Sequence, residues 1–329
     1  MPASSRRGRA GPRMRVACIG ECMVELREEP DGRFARGFGG DTLNTAIYLA
    51  RLGVKVDYVT ALGDDAWSGE MLAAWQREGV GTALVPRCAG SMPGLYVIQT
   101  DPRGERRFLY WRDSAAARRL FALPDTGRIV AALAAFRLIY YSGVSLSLYG
   151  DAGRQRLAEA LRAARAGGAR IAFDTNFRPR GWPDRAVAQD AFRRAIAGAD
   201  LVFASVEDLE PLFGADWEGE LARAAPAAEA VVKLREPCCV IRRPQTAPLL
   251  VTAAPVSAVV DTTAAGDSFA AAYIAARLAG LAPDAAAAAG HGLAGAVVAH
   301  RGAIIPRHAM PSPARLGLAA RSHFPDVRF

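Results

Sequence analysis

The stretch Asp261-Thr-Thr-Ala-Ala-Gly-Asp-Ser-Phe269 joins a Val-rich segment to a run of small residues with helical character. Ala264, Ala265 and Gly266 would let a phosphate approach the backbone closely. N–H groups at a helix start lack intrahelical partners, and negative charge is stabilised there. The result is an anion hole suited to the charge that develops in phosphoryl transfer. Asp267 falls in the first turn, beside the hole, where a carboxylate can accept a hydroxyl proton as the nucleophile attacks. The competing reading is a structural acid that only stabilises the helix dipole.

A second cluster is Gly37-Phe-Gly-Gly-Asp-Thr-Leu-Asn-Thr45. Gly39 and Gly40 permit close backbone approach to a ligand. Asp41 and Asn44 can direct polar groups into a site from a helix start. The alternative is a tight turn with an N-cap. The two clusters lie more than two hundred residues apart, so the fold must bring them together.

The elements between them alternate. Arg15–Gly20, Lys55–Ala61, Leu138–Ser142, Arg170–Asp174, Leu201–Ala204 and Ala230–Lys233 read as apolar strands. Helical patterns cover Asp41–Leu52, with an acidic N-cap, and Gly69–Glu78, Gln155–Arg165, Gln189–Ala197, Ala265–Leu278 and Ala285–Ala299. This predicts an α/β fold with a mostly parallel sheet covered on both faces, and ligands beyond the carboxyl ends of its strands. One segment departs from the pattern. Gly94–Thr100 and Arg106–Arg112 flank Asp101-Pro-Arg-Gly-Glu105 as a hairpin, with Phe108, Tyr110 and Arg112 on one face. It reads as a lid, or else as an ordinary edge extension.

The chain has 329 residues, 51% hydrophobic and 22% charged, with a formal charge of +8. Arg6, Arg7, Arg9 and Arg13 supply four of those charges in a segment without acids, and Lys55 and Lys233 are the only lysines. No basic run with interleaved aromatics follows, which argues against nucleic acid. Five cysteines without a C-x-x-C spacing argue against a disulfide framework or zinc site and for a reducing cytosol. No membrane helix is expected. Residues 1–13 read as a disordered basic tail, 14–311 as one large α/β domain with a β lid at about 92–113, and 312–329 as an extension.

The Asp261–Phe269 stretch resembles the C-terminal signature of the ribokinase-like (PfkB) carbohydrate kinases, D-T-x-G/A-A-G-D-x-F, with Ala264 at its first glycine. Gly37–Thr45 is similar to the family's N-terminal G-G-x-x-x-N signature. The resemblance runs from about Met14 to Pro311. It implies a three-layer α/β sandwich with a small β lid, Asp267 as catalytic base, an anion hole at Ala264, Ala265 and Gly266, and ATP with Mg2+ as phosphoryl donor. Within the family, Ile19-Gly-Glu-Cys-Met23, Pro93-Gly-Leu-Tyr96, Phe173–Arg180 and Arg301–Pro306 are similar to the branch that phosphorylates 2-keto-3-deoxygluconate. That branch implies substrate contacts at Gly39, Gly40, Asp41, Asn44, Tyr96, Tyr110, Arg112 and Arg178. An arginine fork bonds a carboxylate at two points, although both arginines also read as solvated charges.

For the nucleotide, the resemblance implies Asn176, Ser205, Lys233, Arg235, Ala264 and Gly266, with an apolar adenine pocket near Ser257–Val259 and Gly290–Val298. For the metal it implies Asp208 or Glu207, within Ser205-Val-Glu-Asp208, where a helix N-cap cluster is the alternative. The pattern departs from the family after Lys233: Leu-Arg-Glu-Pro-Cys-Cys239 carries no glycine, so the phosphate-side loop must take another shape or bind nucleotide weakly. The alternatives are a kinase for a neutral ketose or for ribose, and a non-catalytic sugar-acid sensor. Family lids of this kind often build dimer contacts, so a homo-oligomer is implied only at that level.

Overall fold

The structure is a computed structural model that describes residues 15–29, 31–100 and 106–318. The basic segment 1–13, the hairpin tip and the end of the 312–329 extension lie outside them. The main sheet has nine strands. In spatial order they are Leu249–Thr252, Cys238–Arg242, Glu229–Lys233, Leu201–Ser205, Arg170–Asp174, Leu138–Ser142, Arg15–Ile19, Lys55–Val59 and Gly81–Leu84. Pairing is parallel from Glu229–Lys233 to Gly81–Leu84 and antiparallel across the other two strands. Parallel strands covered on both faces must be apolar on both. In Arg15–Ile19, Val16 and Cys18 enter one core while Ala17 and Ile19 enter the other, as the two-residue period requires.

The first core lies under the helices Asp41–Arg51, Ala66–Arg77, Ala265–Leu278 and Pro283–Val298; the second lies under Thr126–Leu133, Gly150–Ala166, Arg185–Ala197, Val206–Phe213 and Trp217–Ala224. The Ala265–Leu278 helix is buried on nearly every side, from Ser268 to Leu278. Alanines and a glycine at its contacts with Pro283–Val298 let the two helices pack closely: a Cβ on Gly290 would come within 2.8 Å of the Phe269 ring.

Several helix starts differ from the sequence pattern, among them those expected from Gln155 and Gln189, which begin at Gly150 and Arg185. The Asp41–Arg51 helix is capped by Gly40 without a side-chain bond, so Asp41 is not the cap. Its carboxylate accepts from the next N–H, Thr42, at 2.8 Å, and its other oxygen turns elsewhere. The helix expected from Gly69 begins at Ala66, because the Asp65 carboxylate accepts from Ser68 N–H.

A second sheet of four strands stands over the carboxyl ends of the main one, ordered Phe34–Gly39, Met23–Glu28, Leu95–Thr100 and Arg106–Trp111. The hairpin therefore pairs with residues 23–39, which the strand signals did not mark. Tyr96 sits opposite Tyr110, and Ile98 opposite Phe108. At the other end of the chain, Pro313–Leu316 forms a short turn, and Leu316 and Leu318 pack into the first core.

Candidate active site

A cleft of about 1610 Å³ separates the four-stranded sheet from the main sheet's carboxyl edge. Its floor is the start of the Ala265–Leu278 helix. Ala264 holds the cap with φ +61°, the left-handed region that glycine enters more easily. Ala265 N–H bonds Thr262 carbonyl at 3.2 Å and Ser268 N–H bonds Ala264 carbonyl at 2.9 Å. The Gly266 and Asp267 N–H groups have no hydrogen-bond partner among the described residues. Asp261 braces this loop: its carboxylate accepts from Thr263 N–H at 2.8 Å and from Gly302 N–H at 2.9 Å. A Cβ on Gly266 would stand 3.1 Å from Lys233 Nζ. A glycine here keeps a gap between backbone donors and an ammonium, which is a cradle for phosphate oxygens.

Asp267 meets the second signature in space. Asn44 Nδ2 donates to Asp267 Oδ2 at 2.8 Å, and Thr45 Oγ1 lies 3.3 Å from the Asp267 carbonyl. The other Asn44 amide atom, Oδ1, is buried without a partner, an acceptor left for a ligand hydroxyl. Asp41 Oδ2 takes a hydrogen bond from Asn176 Nδ2 at 2.6 Å. Asn176 itself is held at φ +28°. Asp174 accepts from Tyr140 hydroxyl at 3.3 Å and lies 3.8 Å from Lys233 Nζ. Three acids thus converge on one cation. Desolvation, then the charge of Asp41, pushes the Asp267 carboxyl up to about 8, against the Asn44 hydrogen bond and Lys233. Burial raises Asp174 to about 6, with Lys233 opposing. A carboxylate that prefers a proton is a stronger base than an exposed one.

The opposite end of the cleft belongs to the small sheet. Gly39 and Gly40 act by absence of side chain: a Cβ on Gly39 would fall 2.1 Å from Tyr96 Oη, and one on Gly40 2.2 Å from the Glu21 carbonyl. Tyr96 donates its hydroxyl to Glu25. Its ring lies 5.9 Å from that of Tyr110, which stacks on Phe108. Arg112 approaches Glu21, with Nη2 2.5 Å from Oε2. Arg178 is largely exposed and bonds the Phe177 carbonyl at 2.9 Å. Arg118 and Arg180 line the same end, and neither was singled out by spacing.

The remaining candidates are less uniform. Ser205 lines the cleft and caps the Val206–Phe213 helix, accepting from Asp208 N–H at 3.2 Å. Asp208 accepts from Thr175 hydroxyl at 2.7 Å and Phe177 N–H at 3.0 Å. Both oxygens are engaged in fixing the turn that carries Asn176 and Arg178. Glu207, beside it, is exposed and lines the cleft as Asp208 does. Arg235 pairs with Glu210 and does not line the cleft. The glycine-free segment after Lys233 is a tight reversal between antiparallel strands, closed by Leu234 N–H to Cys238 carbonyl at 3.0 Å. Asn176, read from the sequence with the nucleotide, sits against Asp41 on the side of the first signature. Asp174, Glu21 and Arg118 went unassigned. An acid ending an apolar parallel strand was the available signal for Asp174; Arg118 had none, because it lies in an Ala/Arg run.

Residues 13–310 match the family described as "pfkB family carbohydrate kinase". The chain is 45% identical to 2-dehydro-3-deoxygluconokinase of Dickeya dadantii, covering 90% of this chain and 98% of that protein. It is 30% identical to a fructokinase of Klebsiella pneumoniae over 83% of this chain and 90% of the other. Among solved structures, 2-dehydro-3-deoxygluconokinase of Thermotoga maritima superposes with a TM-score of 0.78 at 23% identity, covering 92% and 98% of the two chains. Fructokinase of Xylella fastidiosa with bound ATP gives 0.77 at 24%, covering 92% and 97%. The nine-stranded fold, the converging signatures and these matches agree that this chain belongs to the pfkB family of carbohydrate kinases.

Proposed function

We propose that the protein phosphorylates the terminal hydroxyl of 2-keto-3-deoxygluconate, the substrate that its more similar relatives' name implies, with ATP as donor. The observation that carries this reading is the cluster of Arg112, Arg118, Arg178 and Arg180 lining the cleft. A neutral sugar does not call for it, and a substrate carboxylate does. The higher identity to 2-dehydro-3-deoxygluconokinase than to fructokinase supports the same choice.

The donor site fits a phosphate: unpaired N–H groups at Gly266 and Asp267, a glycine gap and Lys233 Nζ beside it. ATP, when bound, supplies the phosphoryl group, with ADP as the leaving group. Asp267 takes the proton of the terminal hydroxyl as its oxygen bonds phosphorus. Asn44 orients that carboxylate. The Gly266 and Asp267 N–H groups and Lys233 stabilise the charge on the transferred group, which is where most catalysis in such reactions lies. No group of three or more acidic, His or Cys side chains suited to a metal occurs among the described residues. A hydrated magnesium ion would supply charge neutralisation at the transferred phosphoryl group, and Glu207 would be free to hold its waters while Asp208 is engaged with Thr175 and Phe177.

A coupled ADP-release assay with MgATP tests this against 2-keto-3-deoxygluconate, gluconate, fructose and ribose. Turnover with the keto acid alone is expected. Preference for fructose or ribose would overturn the substrate while keeping the catalytic base. Binding of the keto acid without ADP release would favour a sensor.

A further inference from the structure

Glu21 follows the Arg15–Ile19 strand at its carboxyl end and lines the cleft. Its side chain is only 1% exposed, yet Oε1 has no hydrogen-bond partner. Its ion partner is Arg112, whose Nη2 lies 2.5 Å from Oε2, while Arg112 Nε is buried without a partner of its own. Two buried charges that attract without satisfying their hydrogen-bonding capacity are costly to keep. Gly94 makes room for the arrangement: a Cβ there would lie 2.9 Å from Glu21 Oε1 and 3.1 Å from Arg112 Cβ. Arg118 adds a second positive charge within electrostatic reach of Glu21, and burial raises the Glu21 carboxyl above its ordinary range while Arg112 opposes the rise.

We propose that Glu21 determines specificity by accepting a hydrogen bond from an internal hydroxyl of the substrate while Arg112, beside it, meets the substrate carboxylate. The inference rests on the sugar-acid reading above. A 2-keto-3-deoxy six-carbon acid carries internal hydroxyls at C4 and C5 as well as the terminal one that reacts. A hydroxyl donor at Glu21 and a carboxylate at Arg112 together complete the two unsatisfied groups. A ligand with only one of these features completes one of them. The pair thus reads the spacing of carboxylate and hydroxyl, and not charge alone.

The test is calorimetric titration, without nucleotide, of the parent protein and of Glu21→Ala with 2-keto-3-deoxygluconate and its 4-deoxy and 5-deoxy analogues. In the parent, one analogue is expected to bind about 10- to 100-fold more weakly than the intact acid, the size of a hydrogen bond to a charged group. In Glu21→Ala that difference disappears, and in Glu21→Gln, which keeps shape and a neutral acceptor, it shrinks. If the variant weakens all three ligands equally and keeps the analogue's penalty, Glu21 only positions Arg112 and the proposal fails. Should neither variant fold, the parent decides: equal affinity for all three ligands overturns the assignment. A parent that binds fructose and not the keto acid overturns the substrate reading itself, a result distinct from loss of the hydroxyl effect alone.

Discussion

The two ends of the cleft are built by different means. The phosphoryl end comes from one continuous stretch, Asp261 to Asp267, braced by the Asp261 carboxylate and continued by a helix buried along its length. On the proposed reading its working groups are backbone N–H donors, one carboxylate and Lys233 from the neighbouring strand. The sugar end is gathered from Glu21, Gly39 and Gly40, Tyr96, Tyr110 and Arg112, Arg118 and Arg178, on separate strands and loops. Tyr110 is 46% exposed, so that end is also open to water. An anion hole is a property of local backbone and can be written in nine residues. Recognising a polyhydroxy acid takes side chains from several directions, and only tertiary structure supplies those.

If chemistry resides at the first end and selection at the second, mutations should separate. Asp267→Asn keeps the shape and the Asn44 contact while removing the proton acceptor. Turnover in the coupled assay is expected to fall by about 10²–10⁴, with calorimetric affinity for the keto acid little changed. Activity above about a tenth of the parent's would remove Asp267 as the base, since general-base help is typically larger than that.

At the other end, Arg178→Ala and Arg112→Ala should each lower kcat/KM for the keto acid by about 10- to 100-fold, the loss of one charge-assisted hydrogen-bonding group. Turnover of fructose, where detectable, should change far less. Equal losses on both substrates would mean that these arginines shape the lid instead of reading the carboxylate. Arg178 carries the sharper test, because its pair with buried Asp208 is looser, at 3.5 Å, than that of Arg112 with buried Glu21.

The same contrast explains what the sequence disclosed. The inner parallel strands were legible because burial on both faces demands continuous apolar runs, as in Leu138–Ser142, whereas the half-exposed edge strand Gly81–Leu84 was not. The Asp261–Phe269 stretch, with Asp267 at its helix start, was legible because it is local. Half of the small sheet was not: Met23–Glu28 and Phe34–Gly39 mix charges and glycines, since one face turns toward a polar cleft. The engagement of Asp208 with Thr175 and Phe177, and of Arg235 with Glu210, depends on neighbours distant in sequence. Residue type and spacing left both as candidate ligands.

The pH dependence offers a finer separation. Asp267 must be ionised to act, and burial and Asp41 hold its carboxyl up, to about 8, while Asn44 holds it down. The acid limb of kcat/KM therefore belongs to the phosphoryl end and should fall toward low pH as Asp267 gains its proton. Asp41→Asn removes a neighbouring negative charge and should move that limb to lower pH. Asn44→Ala removes a hydrogen bond to the ionised form and should move it to higher pH. Shifts in the same direction in both variants would assign the limb to another group.

The smallest expected effect concerns Ala264. With φ +61° it occupies a conformation that disfavours a Cβ. Ala264→Gly relieves that strain but makes the unfolded chain more flexible, so the two terms partly cancel. A net gain of about 1 kcal/mol or less, on the order of 2 °C in Tm, is expected by thermal unfolding. The kinetic result matters more for the comparison. If the hole consists of N–H groups, the methyl at position 264 has no part in it, and kcat should stay within about twofold, a barrier change well under 1 kcal/mol. A large rise in kcat with glycine would show that the alanine distorts the hole, and that this end of the cleft is less purely a matter of backbone than its single stretch of sequence suggests.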